Sequence, residues 1–292
     1  WEGARIIQTV GSGARFQTSS MSGLLVLNSD LRSTNFDGVS LANARLLDVD
    51  LEGSSAAGLD LSYANLIKVE AAKLSAPGVV FDHADIWFSN FRSATLSAST
   101  FRDTAIWRTR FLNANLDLAY GEQVTIIGSD FSGVDQTLMN FGTLSQTESG
   151  VLNQKGAAAF FSAQLVQEEG RENVIAALAS VSASLSKENW LQDDVVPLGA
   201  SLSDTAHSRE NLKQRQADYL GEMMCGRIEV ACSVLVMAQG SARSGVPQFD
   251  ELSNVVRHKY DDSTMCKSLK DRDVVDKVLC KGTKLRDVFE QF

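Results

Sequence analysis

Apolar residues recur at every fifth position through the first half of the chain. From residue 16 to residue 141 these positions hold Phe, Leu, Ile, Met or Val, apart from Ala56, Ala71, Ala76, Gly121 and Gln136. The position two residues earlier is usually Ala, Ser, Thr or Val, and polar residues, often Asp or Asn, stand between. Neither an α-helix, with its period of 3.6, nor a simple strand, with its period of two, explains this spacing.

A period of five predicts a coil in which the chain turns a corner every five residues. Four such sides close one turn, and successive turns stack through backbone hydrogen bonds at about 4.8 Å, the usual spacing between strands. The large apolar residue fills the interior, the small one fits near the corner, and the others face water. Positions 16–141 therefore predict about six and a half coils and a rod about 31 Å long.

Several segments resemble the pentapeptide-repeat family, whose pattern is A(D/N)Lxx. They read LANARLL, LSYANLI and FLNANLD. The resemblance covers about half of the chain and implies a right-handed quadrilateral β-helix over residues 16–145. In such a fold, interior residues twenty positions apart form columns. Two columns of Phe are predicted, at positions 81, 101 and 141 and at positions 91, 111 and 131.

One face of the predicted coil differs from the other three. Directly after the interior position, this face carries Leu27, Leu47, Ile67, Trp87, Trp107 and Ile127, which we call the apolar ridge. A single Trp can bury about 150–250 Å², so the ridge would exceed the apolar patches that soluble monomers usually expose. We therefore expect it to be covered, either by the C-terminal half of the chain or by another subunit, a partner or a membrane interface.

The other three faces are predicted to face solvent, because the equivalent residues are mostly polar or small. The first face carries Gln17, Asp37, Ala57, Pro77, Ser97 and Asp117. The second carries Ser22, Ala42, Ser62, Asp82, Arg102 and Glu122. The third carries Arg32, Glu52, Ala72, Arg92, Leu112 and Ser132.

The period predicts a chain divided into four regions: an N-terminal cap at 1–15, the β-helix at 16–145, a polar connector at 146–156 and a helical domain at 157–292. Weaker matches at Ile6 and Gly11 are consistent with either a further partial turn or a helical cap.

The C-terminal region is predicted to be all-α. One helix would place Val174, Ile175, Leu178, Val181 and Leu185 on one face. The segment 207–240 begins polar and becomes apolar nearly all round, which predicts a single long helix with a buried second half. Shorter helices are expected at 248–260, 263–279 and 283–291.

All four cysteines, Cys225, Cys232, Cys266 and Cys280, lie in this region. Cys225 and Cys232 are seven residues apart on one predicted helix, about 10.5 Å along its axis, which is beyond disulfide reach. Each could instead pair with Cys266 or Cys280, so disulfides are favoured over free thiols. Structural zinc sites use short C-x₂₋₄-C spacings, which are missing from this sequence.

The sequence contains no catalytic constellation, cofactor motif or metal motif. His83, His207 and His258 form no close pair in sequence. DVDLEG at 48–53 imitates the start of a calcium-binding loop, but position twelve would be Leu59 in place of Glu. The net charge is −9 and no Lys/Arg run occurs, which argues against nucleic-acid binding.

The pattern favours a non-enzymatic protein–protein interaction or scaffold module without a cofactor, which binds an unidentified protein partner or associates with itself. The family resemblance also implies an alternative, a DNA-mimic modulator of a type II topoisomerase. A third hypothesis is the ectodomain of a membrane-tethered bacterial protein. WEGARIIQTVGSG resembles the segment after a membrane anchor in some bacterial relatives, so an exported or periplasmic location is slightly favoured over the cytoplasm.

Overall fold

The structure is a computed structural model. It describes residues 2–135, 139–141, 144–146, 172–185, 206–227, 230–232, 234, 235, 238, 250–261, 266, 279, 280, 283 and 284. Within these residues, no helix is both long enough and apolar enough to cross a membrane.

The repeat region forms a parallel β-solenoid of about six coils, which confirms the predicted fold. Its strands are β1 Arg5–Ile7, β2 Leu25–Asp30, β3 Arg45–Asp50, β4 Asn65–Glu70, β5 Asp85–Trp87, β6 Ala105–Trp107, β7 Tyr120–Gly121, β8 Val124–Ile127, β9 Asn140–Phe141 and β10 Leu144–Gln146. Eight of them stack in the order β1-β2-β3-β4-β5-β6-β8-β10, with partners twenty residues apart. Because β1 pairs with β2, and Val10 and Arg15 pair with the next coil, residues 5–15 continue the solenoid beyond the predicted boundary at residue 16.

Each corner of the coil uses a residue in the left-handed backbone region. From Gly3 to Gly133 every fifth residue has positive φ, and eighteen of these residues are not glycine. Side chains other than glycine rarely adopt this conformation, so the stacked hydrogen bonds of neighbouring coils must hold it in place. The corner lies two positions after the interior residue, where the sequence pattern is least restrictive.

Both predicted phenylalanine columns are present in the interior. Phe91 and Phe111 stack with ring centroids 5.3 Å apart, and Phe111 and Phe131 are 4.8 Å apart. Phe101 and Phe141 lie 5.2 Å apart across the coil that carries Gly121. A Cβ at residue 121 would lie 2.8 Å from the Phe141 ring, so the glycine leaves the space that the Phe141 ring occupies.

The C-terminal region contains the helices α1 Glu172–Leu185, α2 Ala206–Gly226 and α3 Asp250–Asp261. In α1, Val174, Leu178 and Val181 are buried, as the pattern indicated. The single long helix expected at 207–240 is wrong. Helix α2 ends at Gly226 and Arg227 is not helical, whereas Val230, the next described residue, is helical again. Glycine is a poor helix former and commonly stands where helices end.

Two short strands add to the helices. They are β11 Leu279–Cys280 and β12 Thr283–Lys284, which pair antiparallel. Leu279 is the last residue of the helix predicted for 263–279, and Thr283 and Lys284 are the first two of the helix predicted for 283–291. The prediction of helix is wrong at these residues, which form strands. Within the helix predicted for 263–279, Cys266 is also described, and it lies in a turn. The remainder of both predicted helices, and the connector beyond Gln146, lie outside the described residues.

Candidate interaction surfaces

The apolar ridge runs in register along the solenoid, one residue per coil from β2 to β8. Leu27, Leu47 and Ile67 are fully buried, Trp87 is 6% exposed, Ile127 is buried, and Trp107 is half-buried. The two indole rings stack with centroids 4.6 Å apart and planes 5° apart.

Helix α1 of the same chain packs on this ridge. Its buried residues Val174, Ala177, Leu178 and Val181 form one apolar cluster with the ridge from Leu27 to Trp87, and Trp107 packs at the margin. The helix lies closest to β2 and β3. Of the covers considered from the sequence, the structure therefore places a helix of the C-terminal half on the ridge.

A second face is also covered, contrary to the sequence-based expectation. Asp37, Ala57, Pro77 and Ser97 were expected to face solvent, but all four are buried. At the next corner position stand Gly38, Gly58, Gly78 and Ala98. We call these eight residues the small-residue face.

Helix α2 covers the small-residue face. Ala57 and Ala98 join an apolar cluster with Leu220 and Met224. A Cβ at Gly78 would lie 2.8 Å from Leu220 Cδ2 and equally close to Met223 Cε. The small residues thus let the helix approach the solenoid closely. The recurrence of Gly or Ala at intervals of twenty permits this contact but does not by itself predict it.

Two hydrogen bonds join the solenoid to α2 and to Arg227, the residue that follows α2. Gln216 Nε2 donates to the carbonyl of Ala98 at 3.0 Å, and Arg227 Nη2 donates to Asp37 Oδ2 at 3.0 Å. Eleven residues of helix span about 16 Å, and the three coil steps from 97 to 37 span about 14 Å. Helix α2 therefore runs along the solenoid axis, from later coils toward earlier ones.

Helix α3 packs on α2 and extends this helical layer. Leu252 and Val256 are buried in the same cluster as Leu220. A disulfide joins Cys225 at the end of α2 to Cys266, with Cα atoms 4.6 Å apart, which confirms one of the pairings predicted as possible. Cys232 is also disulfide-bonded, and Cys280 lies in β11.

The third face, here the charged face, comprises the Arg32 to Ser132 series, the acidic residues preceding it and the corner column that follows it, which includes Lys73. Arg32 contacts Asp30 at 2.6 Å and Asp50 at 3.5 Å, and Lys73 contacts Glu52 at 2.8 Å. The hydrogen bond from the Arg32 side chain holds the pKa of Asp30 well below its usual range. The Arg32–Asp50 and Lys73–Glu52 contacts link one coil to the next across the surface.

A groove of about 440 Å³ lies at the edge of the charged face, where β2, β3 and β4 are longest. It is lined by Asn28, Asp30, Asp48, Asp50, Lys68 and Glu70, with Phe88 at one end. Burial raises the pKa of Glu70, and hydrogen bonds from Asn90 oppose this shift. Asp48, the first residue of the calcium-loop imitation, is ion-paired with Lys68 at 3.1 Å.

The fourth face, the Tyr63 face, comprises the Ser22 to Glu122 series and the corner column that follows it. Tyr63 is 57% exposed, and its ring stacks on His83 with centroids 4.5 Å apart and planes 11° apart. His83 Nδ1 lies 3.6 Å from Asp103 Oδ2. Nearby, Arg102 Nε donates to the buried Asp82 Oδ2 at 3.0 Å.

Among the residues that the structure describes, no group of three or more His, Cys, Asp or Glu side chains is placed to hold a metal ion. The titratable side chains of the charged and Tyr63 faces instead form ladders between coils. Such an arrangement suits recognition by shape and charge.

Residues 34–70 match the family model described as pentapeptide repeats, in 8 copies, which confirms the resemblance seen in the sequence. The chain has no significant match among curated protein sequences.

Part of this chain is similar to several solved structures. QnrB1, a plasmid-mediated fluoroquinolone resistance protein, is 16% identical with a TM-score of 0.37, over 47% of this chain and 80% of that chain. HetL, from the cyanobacterium Nostoc, is 19% identical with a TM-score of 0.22, over 49% and 72%. A protein of the Arabidopsis thaliana thylakoid lumen is 22% identical with a TM-score of 0.20, over 53% and 75%.

Proposed function

We propose that this chain, whose first half is a pentapeptide-repeat β-helix, is a non-enzymatic interaction module. The solenoid serves as a rigid scaffold that holds helices of its own chain on two faces and offers the other two to a protein partner. Every coil of the rod is hydrogen-bonded to the next, so its surface groups have a fixed spacing. Binding to a partner therefore costs little conformational entropy in the solenoid.

The observation that carries this proposal is the alternation of covered and exposed faces. The ridge under α1 and the small-residue face under α2 lie on opposite sides of the coil, two sides apart in the repeat. On the charged face Arg32 and Lys73 remain exposed, and on the Tyr63 face Tyr63 and His83 do. The apolar surface is thus used within the chain, while polar and aromatic surface remains for partners.

The proposal is tested by crosslinking and affinity capture with the full chain and three variants. One variant reverses charge on the charged face, Arg32→Glu with Lys73→Glu. A second removes the rings of the Tyr63 face, Tyr63→Ser with His83→Ser. The third, Trp87→Ser, disturbs α1 and is the control for internal docking. We expect a partner that one of the face variants loses and the control retains. An identical set of captured proteins for all three variants and the native chain would refute the proposal.

The topoisomerase alternative is supported by the acidic pI of about 4.9 and by the in-register column of Asp30, Asp50 and Glu70. Arg32 and Lys73 neutralise parts of that face, whereas a DNA mimic needs continuous negative charge. We therefore expect no effect of micromolar protein on DNA supercoiling by gyrase. Inhibition or protection of the enzyme in this assay would favour the alternative over a general scaffold.

We further propose a location outside the reducing cytoplasm, exported or membrane-anchored and periplasmic. The Cys225–Cys266 disulfide supports this, because structural disulfides persist in oxidising compartments. Thiol labelling of the native protein in intact cells and in separated fractions tests it. Recovery from the cytoplasm with Cys225 and Cys266 reduced would contradict the proposal.

A further inference from the structure

Three of the four cysteines in the chain are disulfide-bonded in the structure. Cys225 and Cys266 are bonded to each other, and Cys232 is bonded as well. No cysteine that the structure describes is free. Because a sulfur atom takes part in only one disulfide bond, the Cys225–Cys266 bond excludes both of these residues as partners of Cys232.

Cys280 is the one cysteine of the chain that is left as a partner for Cys232. It lies in β11, which pairs with β12. A bond between the Cys232 residues of two copies is disfavoured, because Cys232 is 7% exposed and belongs to an apolar cluster with Val230 and Leu235. Such a bond would require both sulfur atoms to meet at a surface. The bonding state of Cys232 and the number of cysteines together therefore indicate Cys280.

We propose that Cys232 and Cys280 form a second disulfide, which fastens the paired strands β11 and β12 to the helical layer on the small-residue face. This inference goes beyond the proposed function and does not depend on it. Each thiol loses its hydrogen when the S–S bond forms. The two electrons and two protons pass to a low-molecular-weight disulfide such as oxidised glutathione, which is reduced to two thiols.

The two disulfides interleave along the chain. The Cys225–Cys266 bond spans Cys232, and the proposed bond spans Cys266, so α3 lies inside both closed loops. A disulfide restricts the unfolded state of the segment that it closes. Loss of either bond therefore leaves α3 inside a closed loop, and the helical layer over the small-residue face keeps one covalent restraint.

Tryptic mapping of the unreduced full chain tests the pairing directly. Because Arg227 separates Cys225 from Cys232, trypsin places each cysteine in its own peptide, and these span residues 216–227, 228–243, 260–267 and 278–281. Free thiols are first blocked with N-ethylmaleimide in denaturant at mildly acidic pH, where little thiolate is present to exchange disulfides. We expect the second peptide to be linked to the fourth and the first to the third, and each pair to separate on reduction.

Two variants extend the test. Cys225→Ser with Cys266→Ser is the matched control, and it should retain the linked peptides of Cys232 and Cys280. Cys232→Ser should gain one thiol per chain that is titratable in denaturant, located at Cys280.

The inference would be overturned if Cys232 of the native chain is blocked by N-ethylmaleimide, or is linked to any peptide other than 278–281, including its own copy from a second chain. The absence of a new thiol in Cys232→Ser would overturn it as well. None of these results touches the proposed function, which fails only if captured partners are indifferent to the variants of both open faces.

Discussion

Arg227 and Asp37, 190 residues apart in sequence, form a direct ion pair across the junction of helix and solenoid, with Nη2 and Oδ2 separated by 3.0 Å. The Asp37 side chain is only 4% exposed. It also accepts from Ser55 Oγ at 2.5 Å and from the Ala57 amide at 2.8 Å. The side chain of Arg227, the residue after α2, is therefore a further hydrogen-bond donor to a buried carboxylate on the small-residue face.

Arg227→Met is expected to destabilise the protein because it leaves Asp37 buried with one donor fewer. Removing one partner of a buried pair is costly, but Arg227 is 45% exposed and solvent screens the contact, so we expect about 1–2 kcal/mol. Urea unfolding measures the loss. Arg92→Met, exposed on the charged face, is the control. Adding Asp37→Asn to Arg227→Met should recover part of the stability, and no recovery would contradict this account.

Gly78→Ala should cost more stability than Gly53→Ala. Both glycines have positive φ, of 68° and 65°, so the backbone strain of the two substitutions is matched. A Cβ at residue 53 meets only Ser33 Oγ, at 3.9 Å, whereas one at residue 78 meets Leu220 at 2.8 Å. Overpacking against α2 should add about 1 kcal/mol or more. Equal melting temperatures for the two variants would show that α2 adapts without cost.

Trp87→Ala should destabilise by about 3–5 kcal/mol, the usual cost of truncating a buried aromatic side chain. Because Trp87 packs with Leu178 and Val181 in one cluster, amide hydrogen exchange should rise in α1. Exchange in the strands β2 to β4 should change far less. Tyr63→Ala, an exposed aromatic on another face, is the matched control and should leave α1 protected. If amide exchange in α1 is unchanged in the Trp87 variant, the conclusion that α1 packs on Trp87 is wrong.

Asp85→Asn should stabilise the protein at neutral pH. Burial raises the pKa of Asp85, and a hydrogen bond from Asn65 Nδ2 at 3.0 Å opposes the shift. A raised folded-state pKa contributes stability below the unfolded pKa, about 3.9, and that contribution is lost as pH rises through the folded pKa. The side chain of the variant does not ionise. The free energy of unfolding of the variant should therefore increase relative to that of the native protein between pH 3 and pH 7. A melting-temperature difference that is constant over that range would refute the prediction.

Cys225→Ser with Cys266→Ser should lower the stability of the helical region. The bond closes a loop with a sequence separation of 41, which corresponds to at most about 4 kcal/mol of chain entropy in the unfolded state. Far-UV circular dichroism during denaturation should show the helical signal lost first, with the solenoid persisting. Reduction of the native protein by dithiothreitol should shift the same transition. A single unchanged transition would contradict this expectation.

The period of five was sufficient to predict the coil, its interior and the phenylalanine columns, because each coil interacts with its immediate neighbours through a repeated local pattern. The ridge was equally readable, since Trp87 and Trp107 occupy a position that is polar or small on the other faces. The sequence left Cys266 and Cys280 as partners of Cys225, on the assumption that one helix runs through Cys225 and Cys232, and the break at Arg227 contradicts that assumption. Structure was needed to choose Cys266.

The burial of the small-residue face could not be predicted in the same way. Ala57 and Gly78 permit close approach, but small residues occur equally well on an exposed corner, so they do not indicate a helix by themselves. The break after Gly226 could not be predicted either, because the segment that follows it is apolar and continues the helical period. Arg227 leaves the helix where its side chain binds Asp37.

The sequence by itself therefore determined the solenoid, its core and the need to cover the ridge, because these depend on residues at most twenty positions apart. Tertiary structure alone decided which helix covers which face, where α2 ends and which faces stay open. Those outcomes depend on contacts between segments more than a hundred residues apart, such as Gln216 with Ala98. Such contacts stabilise the protein only when two complementary surfaces pack together, and the local sequence pattern does not specify which surfaces do so.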